Sequence, residues 1–447
     1  MRKVATAFGR MLPAPARRCL VIGLDGVGHD ELVEAVADGM APTLGTLIAG
    51  GGFHTVASTY PPVPAVAWSS FMTACHPGKH GVFGFTHPQD DYSFRFTDAR
   101  DLRMPTLWDR AATDGLRSVV VNVPGTYPAR RMNGSLVSGF VAPDLDHACH
   151  PRSLGARLAA EEYVVDVDAG LAQGDPARFS THVQDVVASR IRAMESILSA
   201  ERWSLAVLAF TEADRLNRMW FQRIRDQEGV ARATYRSWFG HVDAFIGKCL
   251  SRFPGADVVV ASAHASGPLE RFVNLDAWLQ ANGYLTVDAS GAIAPDSRAF
   301  SMDPGRIYVT SSQMFPAGAV PRADVTDLVD EIADGLAGLV DEVTGLPVMA
   351  SIRKRRDAYE GVRTYQGPNL VCLPASGYEL KASRRLPLFS DAAFEGTHVQ
   401  QGALLVATGT DRPKDVTVAD VGATVLAKLG LYDEDVDGVS LLASPSR

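Results

Sequence analysis

Short, uniformly apolar runs punctuate the chain, each closing on a polar residue or a proline and each flanked by segments of a different rhythm. Residues 19–24 run CLVIGL before Asp25, 118–123 run SVVVNV before Pro124, and 205–210 run LAVLAF before Thr211. DVVVA at 257–261 precedes Ser262, and ALLVA at 403–407 precedes Thr408. Runs of this length without polar alternation read as parallel strands buried on both faces. Between them, 29–37, 106–114, 179–199, 234–253, 325–340 and 418–429 carry apolar residues at three- and four-residue spacing, which predicts amphipathic helices. Strands alternating with helices give an α/β fold, a doubly wound, mostly parallel sheet with helices on both faces.

Two stretches break the alternation, about 141–178 and about 285–390, and both read as insertions. Pro304-Gly305, Gly345-Leu-Pro347 and Gly367-Pro368 mark the second as a smaller mixed subdomain near the sheet edge. The division expected is an N-terminal extension, 1–18, followed by one large domain, 19–447, carrying both insertions.

Composition narrows the class. The 447 residues carry 43 Lys+Arg against 51 Asp+Glu, a formal charge of −8, without a basic block, so a nucleic-acid partner is not expected. Five cysteines (Cys19, Cys75, Cys149, Cys249, Cys372) lack paired or zinc-ribbon spacing, which points to a reducing compartment rather than a disulfide framework. The basic N-terminus is broken by Gly9, Arg10 and Pro13 before a signal-peptide core forms, and no apolar run approaches a membrane span. A cytoplasmic protein with no membrane association is the expectation.

In open α/β sheets ligands bind beyond the carboxyl ends of the strands. Asp25 and His264 follow strands there, Asp214 follows LAVLAFTEA, and His398 of Gly396-Thr397-His398 precedes the last strand. An aspartate in such a place commonly caps a helix, but two Asp and two His converging from distant positions make an acid/base or metal constellation.

These residues lie within longer signatures. VIGLDGVGHDELVEAVADGMAPTLGTLIAGGGF, STYPPVPAVAWSSFMTACHPGKHGVFGF, Pro105-Thr-Leu-Trp108, Asn122-Val-Pro-Gly-Thr-Tyr-Pro128, Thr211-Glu-Ala-Asp-Arg215, Gly396-Thr-His398 and Asp420-Val-Gly-Ala-Thr424 follow one another over nearly the whole length. In composition and order the chain resembles the type I phosphodiesterase/nucleotide pyrophosphatase group of the alkaline phosphatase superfamily. That resemblance implies an alkaline-phosphatase-like fold and a two-zinc centre. One metal would be held by the Asp and His of a DxxxH helix start plus a late His. The other would be held by an early Asp, a Thr or Ser nucleophile and the Asp-His of a DHG. Carried over residue by residue, it assigns Asp214 and His398 to the first metal, and Asp25 and His264 to the second.

Three of the implied positions depart from that pattern. Pro64 stands at the nucleophile position, between Tyr60-Pro61-Pro62-Val63 and Ala67-Trp68-Ser69-Ser70-Phe71. DxxxH reads Asp214-Arg-Leu-Asn-Arg218, and DHG reads Ala263-His264-Ala265. Proline has no hydroxyl, alanine no carboxylate, and a guanidinium is permanently charged and cannot act as a ligand. A slipped register would offer Thr59, Ser69 or Ser70 as nucleophile, but the landmarks on both sides argue against it. One helical turn after Asp214, Arg218 is expected to neutralise that carboxylate and to present a fork for an anion. His80 in the Pro-Gly-Lys-His-Gly turn reads as structural, and His147, Cys149 and His150 as polar residues of a loop.

No cofactor is therefore expected beyond, at most, one weakly held divalent metal. The reading is a repurposed enzyme in which Asp25, Asp214, His264 and His398 perform metal-independent acid/base or group-transfer chemistry. Its partner would be a small substrate, anionic if Arg218 receives it, with Trp68 and Ser69 as further binding residues. The alternatives are a non-catalytic relative that binds an anionic ligand or partner, and a remaining metal-dependent phosphoester hydrolase.

Overall fold

The structure is a computed structural model that describes residues 17–410 and 415–442. Most of the expected 1–18 extension therefore lies outside the described residues. An eight-stranded sheet forms the centre, in the order Phe53–Val56, Ala403–Ala407, Asp257–Ala261, Cys19–Leu24, Leu205–Phe210, Ser118–Val123, Gly134–Ser138, Cys149–His150. The five strands from Asp257–Ala261 to Gly134–Ser138 are mutually parallel, while Ala403–Ala407 and Cys149–His150 run antiparallel to their neighbours. The α/β, mostly parallel arrangement read from the apolar runs is the one observed.

Alternation along the strands feeds two cores. Leu20, Ile22 and Leu24, with Ala206, Leu208 and Phe210, pack beneath helices His29–Ala37, Pro176–Ala200, Glu212–Arg225 and Gly229–Arg252. Cys19, Val21, Leu205 and Val207 point the other way, under Pro64–Thr73, Leu107–Thr113 and Val418–Leu429. The helix Val418–Leu429 starts where Thr417 and Asp420 exchange hydrogen bonds in a capping box, which satisfies backbone donors left over at a helix start.

Between the Asp257–Ala261 and Ala403–Ala407 strands the chain builds a second layer. Ala265–Asn274, Gly377–Lys381, Phe389–Asp391 and Gly396–Val399 form one small sheet, and Ala299–Met302, Arg306–Val309, Met349–Lys354 and Leu370–Pro374 another. They share an apolar core with helices Leu275–Ala281 and Val325–Ala337. This layer is wider than the 285–390 stretch, because Ala265–Asn274 and Gly396–Val399 belong to it. The 141–178 stretch also contributes to the central sheet, through the edge strand Cys149–His150. Among the described residues no single helix is long and apolar enough to cross a membrane.

Candidate active site

The carboxyl end of the central strands meets the second layer, and the four strand-end residues converge there. Asp25 extends its strand by one hydrogen bond, its backbone N–H donating to Phe210 at 2.9 Å. Gly26 follows at φ +80°, and a Cβ there would lie 2.6 Å from the Asp214 Cα, so the close approach of the two segments requires glycine. Asp214 sits in the first turn of Glu212–Arg225, where the helix dipole favours a carboxylate. His264 closes the Asp257–Ala261 segment, and the strand that begins at Ala265 pairs with Gly396–Val399 so that Ser266 faces His398. This pairing sets the two imidazoles 4.3 Å apart, centre to centre.

Distances within the cluster are short. His398 Nε2 lies 2.9 Å from Asp214 Oδ1, and His264 Nε2 lies 3.2 Å from Asp25 Oδ1 and 3.9 Å from Asp214 Oδ1. Trp68 donates its indole N–H to Asp25 Oδ1 at 2.8 Å. The other Asp214 oxygen is taken by the Arg215 guanidinium, which also holds Asp166 at 2.7 Å and lies over the Phe140 ring. Burial by itself would raise the Asp214 pKa, but His398 and Arg215 outweigh it and hold the group far below the ordinary carboxylate range.

The two histidines are pushed in opposite directions. His264 Nδ1 lies 3.2 Å from the Ala265 carbonyl, to which it can only donate, so Nε2 facing the Asp25 carboxylate carries a proton only in the imidazolium form. Burial opposes that charge, yet Asp25 more than compensates and the His264 pKa is raised. Burial, reinforced by the neighbouring His264, lowers that of His398. Two like groups with separated titrations are a recurrent basis for distinct acid/base roles.

The cluster opens on one side into a cavity of about 480 Å³. Asp214, Arg215, Arg218 and His398 line it, with Phe85, Phe94, Phe96 and Phe140 among the apolar walls. Asp25 and His264 are fully buried behind them. Trp68 and Ser69, read from the sequence as substrate-binding, do not line this cavity. Trp68 lies against Gly23 and is committed to Asp25, and the Ser69 hydroxyl donates to the Ala65 carbonyl at 2.7 Å inside its helix.

Arg218 also differs from expectation. It borders the cavity but does not pair with Asp214: its guanidinium is bidentate on Glu379, at 2.6 and 2.8 Å, and stacks over Phe394. Thr397 and Lys381 hold the same carboxylate, and although burial opposes it, Arg218 draws the Glu379 pKa down to about 2. The cation on Asp214 is Arg215, which the sequence places directly beside it. Neither Glu379, 161 positions from Arg218, nor Asp166 has a local signal that could have named it.

Pro64 opens its helix at the first position, where no backbone N–H is needed, and Val63 before it adopts the extended conformation that a following proline favours. The nearby hydroxyls are engaged elsewhere, Thr59 on the Pro61 carbonyl at 2.8 Å and Ser70 on His80 Nε2 at 2.9 Å. The latter bond also accounts for the buried His80. Asp214, His264 and His398 each offer one donor atom, all within 4.8 Å of one another, a grouping compatible with one metal ion. His264 Nε2 is moreover buried without a hydrogen-bond partner of good geometry.

Residues 19–401 match the type I phosphodiesterase/nucleotide pyrophosphatase family. The chain belongs to that family. Its fold is the alkaline-phosphatase-like one of solved relatives. Phosphonoacetate hydrolase from Sinorhizobium meliloti 1021, in complex with phosphonoacetate, superposes with a TM-score of 0.62 at 17% identity, over 96% of this chain and 100% of that one. Murine ectonucleotide pyrophosphatase/phosphodiesterase 5 gives 0.57 at 15% identity, over 94% and 97%. The human protein of the same name gives 0.58 at 13%, with the same coverage. No curated protein matches this sequence.

Proposed function

We propose that this family member has set aside two-metal phosphoryl transfer and performs metal-independent acid/base chemistry on a small molecule held in the cavity. The observation that carries the reading is the Asp214–His398 pair at the cavity wall, 2.9 Å apart, beside a helix that starts with proline. His398 is the general base. Its Nε2–H donates to Asp214, which orients the ring and stabilises the imidazolium formed when Nδ1 takes a substrate proton. Arg215 fixes the Asp214 carboxylate, and the neutral ground state of His398 suits it to accept a proton near neutrality. Asp25 and His264, buried and 3.2 Å apart, stand behind the first pair and support it. Elimination, isomerisation or cyclisation are the reactions such a pair can run without an activated water.

The donor set supports the loss of the two-metal centre. Of the groups the family would use, Asp25, Asp214, His264 and His398 are in place, whereas Pro64, Arg218 and Ala263 bring neither nucleophile nor ligand.

A second reading rests on the grouping of Asp214, His264 and His398, which could hold a single divalent ion. Bound there, an ion would supply Lewis acidity. Elemental analysis of protein purified without chelator separates the two: near-stoichiometric zinc or manganese supports the single-ion reading and overturns the metal-free one. Wild-type hydrolysis of bis-p-nitrophenyl phosphate would overturn both the loss of phosphodiester chemistry and the role given to Pro64. On a converted substrate, His398→Ala abolishes turnover, and a His398→Ala protein of full activity would remove the proposed base.

A further inference from the structure

The cavity carries formal charges that cancel. Its cations are Arg215, Arg218 and Lys381, and its carboxylates are Asp214, Asp303 and Glu379. Each cation already has a partner: Arg215 holds Asp214 and Asp166, while Arg218 and Lys381 share Glu379. A phosphate or sulfate entering here would have to compete with carboxylates that these cations already hold. An unpaired cation, a usual feature of an anion site, is not found among the described lining residues.

The rest of the wall is apolar, and part of it stands open. Phe94 and Phe96 are two residues apart on the short strand Phe94–Phe96, so they share a face of the hairpin it makes with Thr86–Pro88. They are 58% and 62% exposed, and both border the cavity. Large aromatic side chains bared side by side at a cavity mouth are unusual unless something covers them. Deeper in, Phe85 meets Phe140 edge-on at 6.1 Å, and the Phe140 ring lies under Arg215, which touches Asp214. An aromatic path thus leads from the open hairpin to the acid/base pair.

We infer that the substrate is an uncharged molecule with an aromatic or alkyl body, seated on Phe94 and Phe96 and extending along Phe85 and Phe140 to His398. The volume, about 480 Å³, is that of a small-molecule site rather than a protein interface. The inference deepens the acid/base reading and rests on it only for the position of the reacting end.

The test uses the full-length protein and a neutral dye, N-phenylnaphthylamine, whose fluorescence rises in apolar surroundings. Saturable one-to-one binding is expected, displaced by phenylbutanol at lower concentrations than by phenylbutyl phosphate, and not by inorganic phosphate. Phe94→Ala/Phe96→Ala changes only exposed side chains and should retain the wild-type Tm while weakening dye binding roughly tenfold or more. Displacement led by the phosphate ester, equal binding by the double variant, or a dimer that the double variant abolishes would each overturn the inference. Its failure is distinguishable from that of the catalytic reading. An anion-first order leaves the Asp214–His398 pair untouched, and zinc in the protein is read by elemental analysis, with the competition run on protein shown by that analysis to be metal-free.

Discussion

Replacing Glu379 by glutamine tests whether Arg218 is held as a structural cation or kept free for a ligand. The change removes one charge and little volume. In the wild type the side chain is 9% exposed and receives Arg218 twice, Lys381 and Thr397. Its pKa falls from an ordinary 4.5 to about 2. By linkage that depression corresponds to about 3 kcal/mol of stability, within the roughly 3–5 kcal/mol lost when one partner of a buried pair is removed. The sign follows from the direction of the shift. A carboxylate whose folded pKa is depressed stabilises fully above its unfolded pKa, here 4.5, and loses that contribution as pH falls through about 2.

Urea denaturation of wild type and Glu379→Gln should therefore differ by about 3 kcal/mol at neutral pH and by about 2 kcal/mol at roughly one pH unit below 4.5. The variant should also gain what the wild type lacks: inorganic phosphate, offered the freed Arg218 and Lys381, should raise its Tm and not that of the wild type. A gap below about 1 kcal/mol at neutral pH, or one that does not shrink on acidification, would refute the electrostatic account. A wild type stabilised by phosphate would show that Glu379 does not neutralise the pair.

Two further variants probe other parts of the same arrangement. Trp68→Phe removes the indole donor from buried Asp25 and should cost about 2–3 kcal/mol in urea denaturation, and a loss under about 0.5 kcal/mol would deny that bond a structural role. Pro64→Thr with Arg218→His and Ala263→Asp should bind about two zinc ions by elemental analysis where the wild type does not. A folded triple variant with no added zinc would break the assignment of these three positions.

The main sheet was legible because its strands are buried on both faces, so an apolar run and a strand have the same ends. Cys19–Leu24, Leu205–Phe210 and Val418–Leu429 have the bounds that periodicity gives. The convergence of Asp25, Asp214, His264 and His398 was legible for a related reason, since strand ends of a parallel sheet lie on one edge. What could not be read was pairing between distant charges. Four-residue helical spacing nominated Arg218 as the partner of Asp214, but that rule compares only residues of one helix. It is silent about Glu379, which the second layer delivers from another strand with a geometry that suits a guanidinium on both nitrogens.

The partner exchange bears directly on the chemistry. Had Arg218 been bound to the Asp214 oxygen that Arg215 leaves open, His398 would have faced a carboxylate held on both oxygens by guanidinium groups. With Arg218 drawn off to Glu379 and Arg215 on the other Asp214 oxygen, one Asp214 oxygen remains for His398, and the imidazole stands at the wall paired with it. The same exchange leaves no unpaired cation among the described lining residues, so on the inference drawn above the apolar surface of Phe85, Phe94, Phe96 and Phe140 would select what enters. A histidine poised by a carboxylate at the end of an apolar channel is suited to moving a proton on an otherwise uncharged molecule. Restoring an anion preference should then require breaking the Arg218–Glu379 pair before anything is changed at His398.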